Sequence, residues 1–520
     1  MYKKKLINLI VVVTIIRLIT ACILELGNDE VYYYTYALHL QSNYFDHPPG
    51  IAWLIKLFTL NLTFQSEVFI RLGSIVFAAI GTWLVYQMGT FIRNERTGWF
   101  AAILYNTSIY TSIIAGTFIL PDSPQVVFWL ASVYAALHIV KHSTADEKVP
   151  FKLWLLFGLM NGLCIMCKVH GIFLWLGFGA YILLFDRKLF RSPGLYIAGI
   201  VTLLIISPIF WWNIQNGFVT WNYHSERVEV RQFSINTDDF IQTLIGQLFY
   251  NSPINVTLSV IALIYLFRHT AILKSKYLLL LIFCGLPIVL VVTVISLFKP
   301  VLPHWSGPGF LTLSLLAAYV LDVKAEAKNR KATPAILKVC NGFILVLVAV
   351  AIIGIKFYPG TLGSKDEQNL GELDFTLDLN GWREFNHEFT RWADSAKATG
   401  FIHDGTKIVC NKWFPAAHIE YYTARRNNLP VTGVGYVNDL HQYVWLNHLR
   451  PQLQIGENAL CIVPSNVPET PAETYKTTFA STDSLRSFTQ YRSGHAVRHF
   501  TIYLLKGYNG SDEARRFKIK

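Results

Sequence analysis

The chain has 520 residues, of which 53% are hydrophobic and only 15% are charged. Because a soluble domain usually carries roughly a quarter charged residues, this balance excludes an ordinary soluble globular protein. The net charge of +12 comes from short basic clusters between apolar runs. Orientation signals of membrane proteins lie in such places, so the charge does not indicate a nucleic-acid binder.

The first apolar run follows a basic start, MYKKK. It is too long for the apolar region of a typical signal peptide, and no clear cleavage site follows it, so we predict a retained first helix. Since a membrane helix needs about 20 apolar residues, the sequence predicts about eleven spans, at 6–26, 67–91, 99–119, 123–141, 153–167, 171–185, 193–213, 251–267, 277–298, 305–321 and 335–357. A short, interrupted apolar stretch near 51–62 predicts an interfacial or re-entrant helix.

Basic residues alternate with acidic and aromatic residues from one loop to the next. If the N-terminus is cytoplasmic, every cytoplasmic segment carries Lys or Arg: 3–5, 93–96, 141–152, 186–191, 268–276 and 324–331. The opposite loops are rich in Asp, Glu, His and aromatic residues: 27–50, 121–122 and 214–250. The positive-inside rule therefore predicts that these loops, and the chain after about residue 358, lie outside the cytoplasm.

After about residue 358 the sequence changes character. Strand-length apolar runs (KIVCN, ALCIVPS, FTIYLLKGY) alternate with helical stretches (WREFNHEFTRWADSAK, AAHIEYYTARR). The sequence thus predicts a polytopic all-α membrane domain at 1–357, with its first outer loop at 27–66, followed by a small soluble, extracytoplasmic α/β domain at 358–520. Cys410 and Cys461 lie in two strand-like runs, and both a disulfide and two free thiols are compatible with the sequence.

The first outer loop, ELGNDEVYYYTYALHLQSNYFDHPPGIAWL, is unusually rich in Tyr and ionisable residues for a simple connection. Asp29 and Glu30 follow the first span, and Asp46 and His47 precede a Pro-Pro pair. Asp29 and Asp46 could cap the helices that follow them, or take part in chemistry, and the two roles are compatible. We treat Asp29 as a catalytic candidate, and Glu30, Tyr33, Asp46 and His47 as substrate-binding candidates.

Asp122, in FILPDSPQVVFW, lies at the predicted outer end of a span. A carboxylate at membrane depth is unfavourable by about 2.5–3.5 kcal/mol on insertion scales and tends to mark a functional site. Helix capping is the alternative interpretation. Because Asp122 and Asp29 are predicted on the same face, we expect the two carboxylates to meet in one cavity, with Asp122 as the second catalytic candidate.

Four further residues place cationic or imidazole groups on the predicted outer face, against the orientation bias: Lys168, His170, Lys299 and His304. Binding of an anion such as a lipid phosphate would explain them. Snorkelling towards the lipid headgroups is the alternative. Asp, Glu and His on this face could also hold a divalent cation, although no ligand spacing of a dedicated site stands out.

These groups suit glycosyl transfer from a lipid-phosphate sugar. A carboxylate near the acceptor hydroxyl would act as general base, and cations would stabilise the departing phosphate. No GxGxxG after a strand and no GxxxxGK[ST] occurs in the sequence. Two other functions stay open: a transporter or flippase for a lipid-linked or sugar substrate, and a non-catalytic envelope scaffold. The lack of an internal repeat, and the gathering of ionisable residues at one face, favour transfer.

At these residues the chain resembles the GT-C superfamily of polyprenyl-phosphate-sugar glycosyltransferases, in the branch of bacterial lipid A aminoarabinose transferase and the protein O-mannosyltransferases. The resemblance rests on Asp29-Glu30, Phe45–Pro48, Asp122 and Lys299–Pro308, within about the first 360 residues. It implies an inverting hexosyl- or pentosyltransferase with Asp29 as base and Asp122 supporting the acceptor or sugar.

The same resemblance implies a polyprenyl-phosphate sugar as donor and a glycolipid, glycan or protein as acceptor. It further implies a multi-pass protein of the bacterial cytoplasmic (inner) membrane, with a cytoplasmic N-terminus and a periplasmic C-terminal domain. Many relatives have Glu-Lys-Pro where this chain has Asp46-His47-Pro48. The exchange of Lys for His implies a phosphate contact that is pH-dependent and weaker in charge.

Overall fold

The computed structural model describes residues 1–229 and 234–511. Residues 230–233 of the predicted loop 214–250, and residues 512–520 of the predicted C-terminal domain, lie outside the described residues. The chain divides into two compact units. We call them the membrane unit, Met1–Ala21 with Leu40–Leu347, and the sheet unit, Cys22–His39 with the described chain from Val348 onward.

This division differs in two places from the predicted boundary at 357/358. It falls at 347/348, within the last long apolar helix, and Cys22–His39 packs in the sheet unit although its position in the sequence suggested the membrane domain. The reason is local hydrogen bonding. Glu25 N donates to Leu379 O (3.2 Å) and Leu26 N donates to Tyr422 Oη (2.7 Å), so the early segment is bonded to the late chain.

The membrane unit is all-helical in its described residues, as predicted. Its helices, including two that continue into the sheet unit, are Tyr2–Ile23, Gly50–Phe58, Glu67–Ile92, Glu95–Thr107, Asp122–Thr144, Phe151–Cys167, Ile172–Phe185, Pro193–Gln215, Val219–Val228, Thr237–Tyr250, Pro253–Arg268, Thr270–Leu273, Lys276–Ile295, Gly307–Ala327 and Ala335–Phe357. The predicted short helix near 51–62 is confirmed as Gly50–Phe58.

Among the described residues, 7 helices are long and apolar enough to cross a membrane, or up to 8 if the pair Thr237–Tyr250 and Pro253–Arg268, bent by 99°, is one span. The predicted spans 153–167 and 171–185 coincide with shorter apolar helices. The predicted span 99–119 is a 13-residue helix, Glu95–Thr107, followed by one π-helical turn at Tyr110–Ile114.

The interruption after Thr107 has a physical cause. Ser252 Oγ donates to Thr107 O (2.6 Å) and accepts from Ile109 N (3.2 Å), and Asn255 Nδ2 donates to Leu104 O (2.8 Å). Backbone groups that would otherwise bond to a further helical turn are therefore satisfied by side chains at the bend of the 237–268 pair. Hydropathy alone does not detect such a break.

The sheet unit is α/β, as predicted. Its strands are β1 Ile408–Cys410, β2 Val431–Gly433, β3 Ala459–Pro464, β4 Phe479–Arg492 and β5 His495–Tyr508, in the order β2-β1-β3-β5-β4. β1 is parallel to β2 and β3, whereas β5 is antiparallel to β3 and β4. Its helices are Asn28–Leu38, Trp382–Ala398, Trp413–Ile419, Val437–Leu440, Tyr443–Asn447 and Pro471–Thr474. Cys410 and Cys461 are buried free thiols in neighbouring strands, so the disulfide interpretation is not supported.

Candidate active site

The second half of the first outer loop is held against the helix Val219–Val228. Thr220 Oγ1 donates to Tyr44 O (3.0 Å), and His224 Nε2 donates to Asp46 O (2.7 Å). The loop therefore has a defined conformation immediately before His47. This contact lies within the membrane unit and joins two segments that are distant in sequence.

Gly50 brings the end of this loop close to Lys168. A Cβ atom at Gly50 would lie 2.7 Å from Cys167 Sγ, closer than real Cβ atoms approach. Only glycine therefore lets the helix that starts at Gly50 pack so tightly against the end of the helix that precedes Lys168. His47 and Lys168 consequently interact electrostatically. The residue before the short helix is Pro49, so the capping interpretation of Asp46 is wrong.

Asp122 and Lys168 form a buried ion pair. Lys168 Nζ donates to both carboxylate oxygens of Asp122, at 3.0 Å and 2.8 Å, and Tyr110 Oη donates to Asp122 Oδ1 (2.8 Å). The two charged side chains are each 4% exposed. An unpaired charge would be strongly unfavourable in such buried surroundings, so each of the two side chains stabilises the charge of the other. Asp122 begins its helix, but its carboxylate is bonded to Lys168 and Tyr110.

Four imidazoles surround this ion pair. Each of them interacts electrostatically with Lys168: His47, His170, His224 and His304. The rings of His47 and His224 lie 6.2 Å apart, and those of His170 and Trp305 lie 5.4 Å apart. Sequence reasoning missed His224, because a single His in the loop 214–250 carries no motif. Its only signal was its predicted position on the outer face.

Two buried polar atoms near the ion pair have no hydrogen-bond partner among the described residues, His170 Nδ1 and Gln125 Oε1. Gln125 lies one turn after Asp122, and its Nε2 donates to Lys168 O (3.4 Å). Buried polar atoms are normally satisfied by protein, water or a ligand. A bound group that offers hydrogen-bond donors and acceptors would satisfy both atoms.

Burial lowers the pKa of His47 to about 3, although the nearby Asp46 carboxylate opposes this effect. Burial also lowers the pKa of His224. His47 is therefore neutral at physiological pH and offers a neutral N–H or ring nitrogen. This low pKa argues against the pH-dependent phosphate contact implied by the exchange of Lys for His, which stays a prediction.

Lys299 contacts the helix Val219–Val228 of the membrane unit. Its Nζ donates to Glu226 O (2.6 Å), two residues beyond His224 in the helix Val219–Val228. The rings of His304 and Tyr250 lie 5.9 Å apart, and His304 interacts electrostatically with Asp122. Of the predicted groups, His304 thus lies within electrostatic range of the ion pair, whereas Lys299 is bonded to the helix that carries His224.

The remaining predicted residues lie on the helix Asn28–Leu38 of the sheet unit. Asp29 is exposed in the first turn of this helix. Glu30 is buried and its Oε2 accepts a hydrogen bond from Gly27 N (2.8 Å), so Glu30 provides the cap. Tyr33 is buried and packs against Tyr36, with ring centroids 5.5 Å apart. The predicted convergence of Asp29 with Asp122 would join the two units and stays a prediction.

The segment before Asp29 is fixed by the late chain. Asn28 Nδ2 donates to Asp378 Oδ2 (2.8 Å), and His418 Nε2 donates to Leu26 O (3.0 Å). The pKa of Asp378 is raised to about 7, chiefly by burial, and this net value includes a decrease caused by Arg498 and a smaller increase caused by the Asp29 carboxylate. Sequence reasoning also missed Asp378, because a single Asp in a polar turn gives no signal of this contact.

We expect His418 to make the sheet unit acid-sensitive. Burial lowers its pKa to about 3, below the value of about 6.5 in an unfolded chain. The unfolded chain therefore takes up a proton first, so the stabilisation by His418 is complete above about pH 6.5 and is lost as the pH falls towards 3. Between about pH 7 and about pH 5, the melting temperature in detergent should fall more for wild type than for His418→Gln.

The neighbouring Asp378 changes the melting temperature in the opposite direction as the pH falls, because its pKa is raised in the folded protein. It is present in both proteins, so the difference between wild type and His418→Gln isolates the histidine. Parallel melting temperatures across this pH range would contradict a buried, neutral His418.

No group of three or more His, Cys, Asp or Glu side chains within residues 1–229 and 234–511 is arranged to hold a metal ion. The divalent cation considered from the sequence stays a prediction.

Comparisons with known proteins agree with this architecture. The family model described as dolichyl-phosphate-mannose-protein mannosyltransferase matches residues 46–212. The crystal structure of ArnT from Cupriavidus metallidurans in the apo state matches with a TM-score of 0.59 at 15% identity, over 96% of this chain and 98% of that chain. The chain shares the fold of this ArnT.

Further proteins are similar to this chain at low identity. The structure of the same ArnT bound to undecaprenyl phosphate matches with a TM-score of 0.59 at 14% identity, over 95% of this chain and 97% of that chain. Lipid A galacturonosyltransferase RgtD from Rhizobium johnstonii is 22% identical over 297 residues, which cover 57% of this chain and 60% of RgtD. The aligned part of the chain thus spans less than two thirds of that relative. The predicted fold class, membrane helices followed by a small α/β domain, is confirmed.

Proposed function

We propose that this protein belongs to the GT-C superfamily and is an inverting glycosyltransferase. It moves a hexosyl or pentosyl group from a polyprenyl-phosphate donor to a glycolipid, glycan or protein at the outer face of the bacterial cytoplasmic membrane. The observation that carries the proposal is the buried Asp122–Lys168 pair surrounded by imidazoles at the ends of apolar helices. RgtD, named as a lipid A transferase, and ArnT, crystallised with undecaprenyl phosphate, support a lipid-linked donor and a glycolipid acceptor.

Lys168 is the group proposed to meet the donor phosphate. A lysine ammonium has three N–H donors, and Lys168 uses two of them on the carboxylate of Asp122. The third can donate to a phosphate oxygen. His47 adds a neutral N–H or ring nitrogen, and His170 and His304 add further imidazole groups. The buried setting strengthens each contact with an anion because water is scarce.

Asp29 is proposed as the general base. Its carboxylate takes the proton of the acceptor hydroxyl while the hydroxyl oxygen attacks the anomeric carbon of the donor sugar. The new glycosidic C–O bond forms as the C–O bond to phosphate breaks, and that bonding pair leaves with the lipid phosphate. Lys168 then faces the negative charge that develops on the leaving oxygen, while Asp122 holds Lys168 in position.

The proposal is tested with purified protein in lipid nanodiscs and a panel of polyprenyl-phosphate sugars, with a lipid A acceptor. Release of polyprenyl phosphate should require both a matching donor and the acceptor, and should rise with the concentration of each. Release that is independent of the acceptor would indicate simple hydrolysis. No release with any hexosyl or pentosyl donor and any glycolipid, glycan or protein acceptor would reject the proposed activity.

We expect His47 to contribute to donor binding without titrating. A His with an ordinary pKa of about 6.5 would lose its charge as the pH rises through neutrality, so the KM for the donor would rise. Because burial lowers the pKa of His47 to about 3, initial-rate measurements should give parallel KM profiles for wild type and His47→Gln between about pH 5 and about pH 8. A KM that rises with pH in wild type alone would contradict a neutral His47.

A further inference from the structure

Several large apolar side chains of the sheet unit are exposed together. Leu373 is 90% exposed and Phe375 is 73% exposed. Three more exposed apolar residues lie at the end of the last long helix or in the segment just after it: Phe357, Tyr358 and Leu362. We call these five residues the apolar patch. Single exposed apolar residues are ordinary, whereas a contiguous group indicates a surface that is covered by something.

The patch is held together by one buried carboxylate. Asp374 lies between Leu373 and Phe375, and its Oδ2 accepts hydrogen bonds from Leu362 N (2.8 Å) and Thr361 Oγ1 (2.9 Å). The turn 371–376 is therefore bonded directly to the segment that follows the last long helix. Leu373 has a φ of +68°, which is unfavourable for a leucine, so this position is imposed by the surrounding contacts.

A buried arginine fixes the patch to the helix Ala335–Phe357. Arg492 Nη1 donates to Ile355 O (3.1 Å), Arg492 Nη2 donates to Gly360 O (2.6 Å), and Nη2 is paired with Asp374 Oδ2 (3.2 Å). The patch thus begins within the last turn of an apolar helix that is long enough to cross a membrane. The hydrogen bonds of Arg492 fix the distance between the apolar patch and the end of that helix.

The exposed face of the helix leads into the patch. Val350, Ile353 and Phe357 are exposed and follow one another at helical spacing, so they form one apolar stripe. Only 17% of the apolar window of this helix is buried within the protein. Acyl chains must cover such a stripe in a membrane. The patch continues the stripe beyond the last helical turn, where Tyr358 suits the interface between hydrocarbon and water.

We propose that the apolar patch of the sheet unit docks on the surface of the bilayer, with Leu362, Leu373 and Phe375 inserted at the boundary between headgroups and acyl chains. The sheet unit is thereby attached to the membrane at a second point, besides the helix from which it continues. Lipid is the occupant because the patch extends a face that lipid already covers.

Contact of the apolar patch with the bilayer would also affect the catalytic candidate, Asp29. Only this effect rests on the proposed function. The turn that carries Leu373 continues into Phe375–Leu379, where Asp378 accepts the hydrogen bond from Asn28. Asn28 immediately precedes Asp29. Seating the patch on the bilayer would therefore set the depth of Asp29 relative to the lipid surface, where a lipid-linked donor is held.

Spin labels test the lipid contact directly. The full chain, with Cys22→Ser to remove the exposed native thiol, carries Phe375→Cys in nanodiscs of phosphatidylethanolamine and phosphatidylglycerol. The matched control is Ile455→Cys, which is 80% exposed. Ile455 precedes β3, whereas Ser465, after the other end of β3, bonds to Leu370 beside the patch. Strand β3 has 6 residues, so its two ends lie about 20 Å apart.

We expect the label at position 375 to collide with dissolved oxygen and to be protected from a water-soluble nickel chelate, with the reverse at position 455. Equal access of the chelate to both labels would overturn the proposal. Protection of position 375 from both reagents would indicate a protein contact instead, and spin–spin broadening would assign the patch to a second copy of the chain. Either result would also overturn the proposal. The measurement requires no activity, so it stands or fails separately from the proposed function.

Discussion

Asp29→Asn is expected to lower kcat by about 10²–10⁴-fold, because an amide of the same shape cannot accept the proton of the acceptor hydroxyl. The KM for the lipid-linked donor should change little. Folding should be retained, since Asp29 is exposed and Glu30 provides the cap of this helix. Steady-state rates and the melting temperature, measured on the same preparation, separate the two effects.

Asp394→Asn is the matched control for this substitution. Asp394 is an exposed carboxylate on the helix Trp382–Ala398 of the same unit. The control should keep the wild-type rate and the wild-type melting temperature. Wild-type turnover in Asp29→Asn would remove Asp29 as the base, even if transfer itself is observed.

The second large effect concerns Lys168 and Asp122. Removing either partner of a buried ion pair leaves the other charge uncompensated, which destabilises a protein by about 3–5 kcal/mol. Lys168→Gln and Asp122→Asn should each melt at a clearly lower temperature than wild type. The double variant, in which both groups are neutral, should recover most of the lost stability, because no unpaired charge remains.

Donor binding should not recover in the double variant. If Lys168 donates to the donor phosphate, its loss removes a charge-assisted hydrogen bond of about 1.5–3 kcal/mol, so the KM should rise about 10- to 150-fold. Stability and KM are measured on all four proteins of the cycle. A double variant that is stable and binds donor like wild type would make the pair purely structural.

The sequence predicts a membrane domain and an α/β domain because the apolar runs of the two domains differ in length. Long apolar runs give the membrane helices, and short runs such as ALCIVPS give strands such as β3. The length of an apolar run does not reveal where a helix is interrupted by side chains from a distant part of the chain. The segment 99–119 is apolar enough for a span, yet Ser252 and Asn255 end the helix at Thr107.

The residues of the candidate site also divide into those that could be predicted from the sequence and those that could not. Asp122, Lys168, His170 and His304 could be predicted to gather because the topology predicted from the sequence places the ends of their helices at one face. His224 and Asp378 could not, because they reach Asp46 and Asn28 through hydrogen bonds between segments distant in sequence. For the same reason, sequence position assigned Asp29 to the membrane domain, whereas its helix packs with the late chain.

Transfer and flipping differ in their products, so both products of a single reaction between a polyprenyl-phosphate sugar and an acceptor should be quantified in proteoliposomes. An inverting transferase yields one glycosidic bond, of opposite anomeric configuration to the donor, for each polyprenyl phosphate released. An intact lipid-linked sugar that has only changed leaflet, with no new glycoside, would contradict the account and identify a flippase.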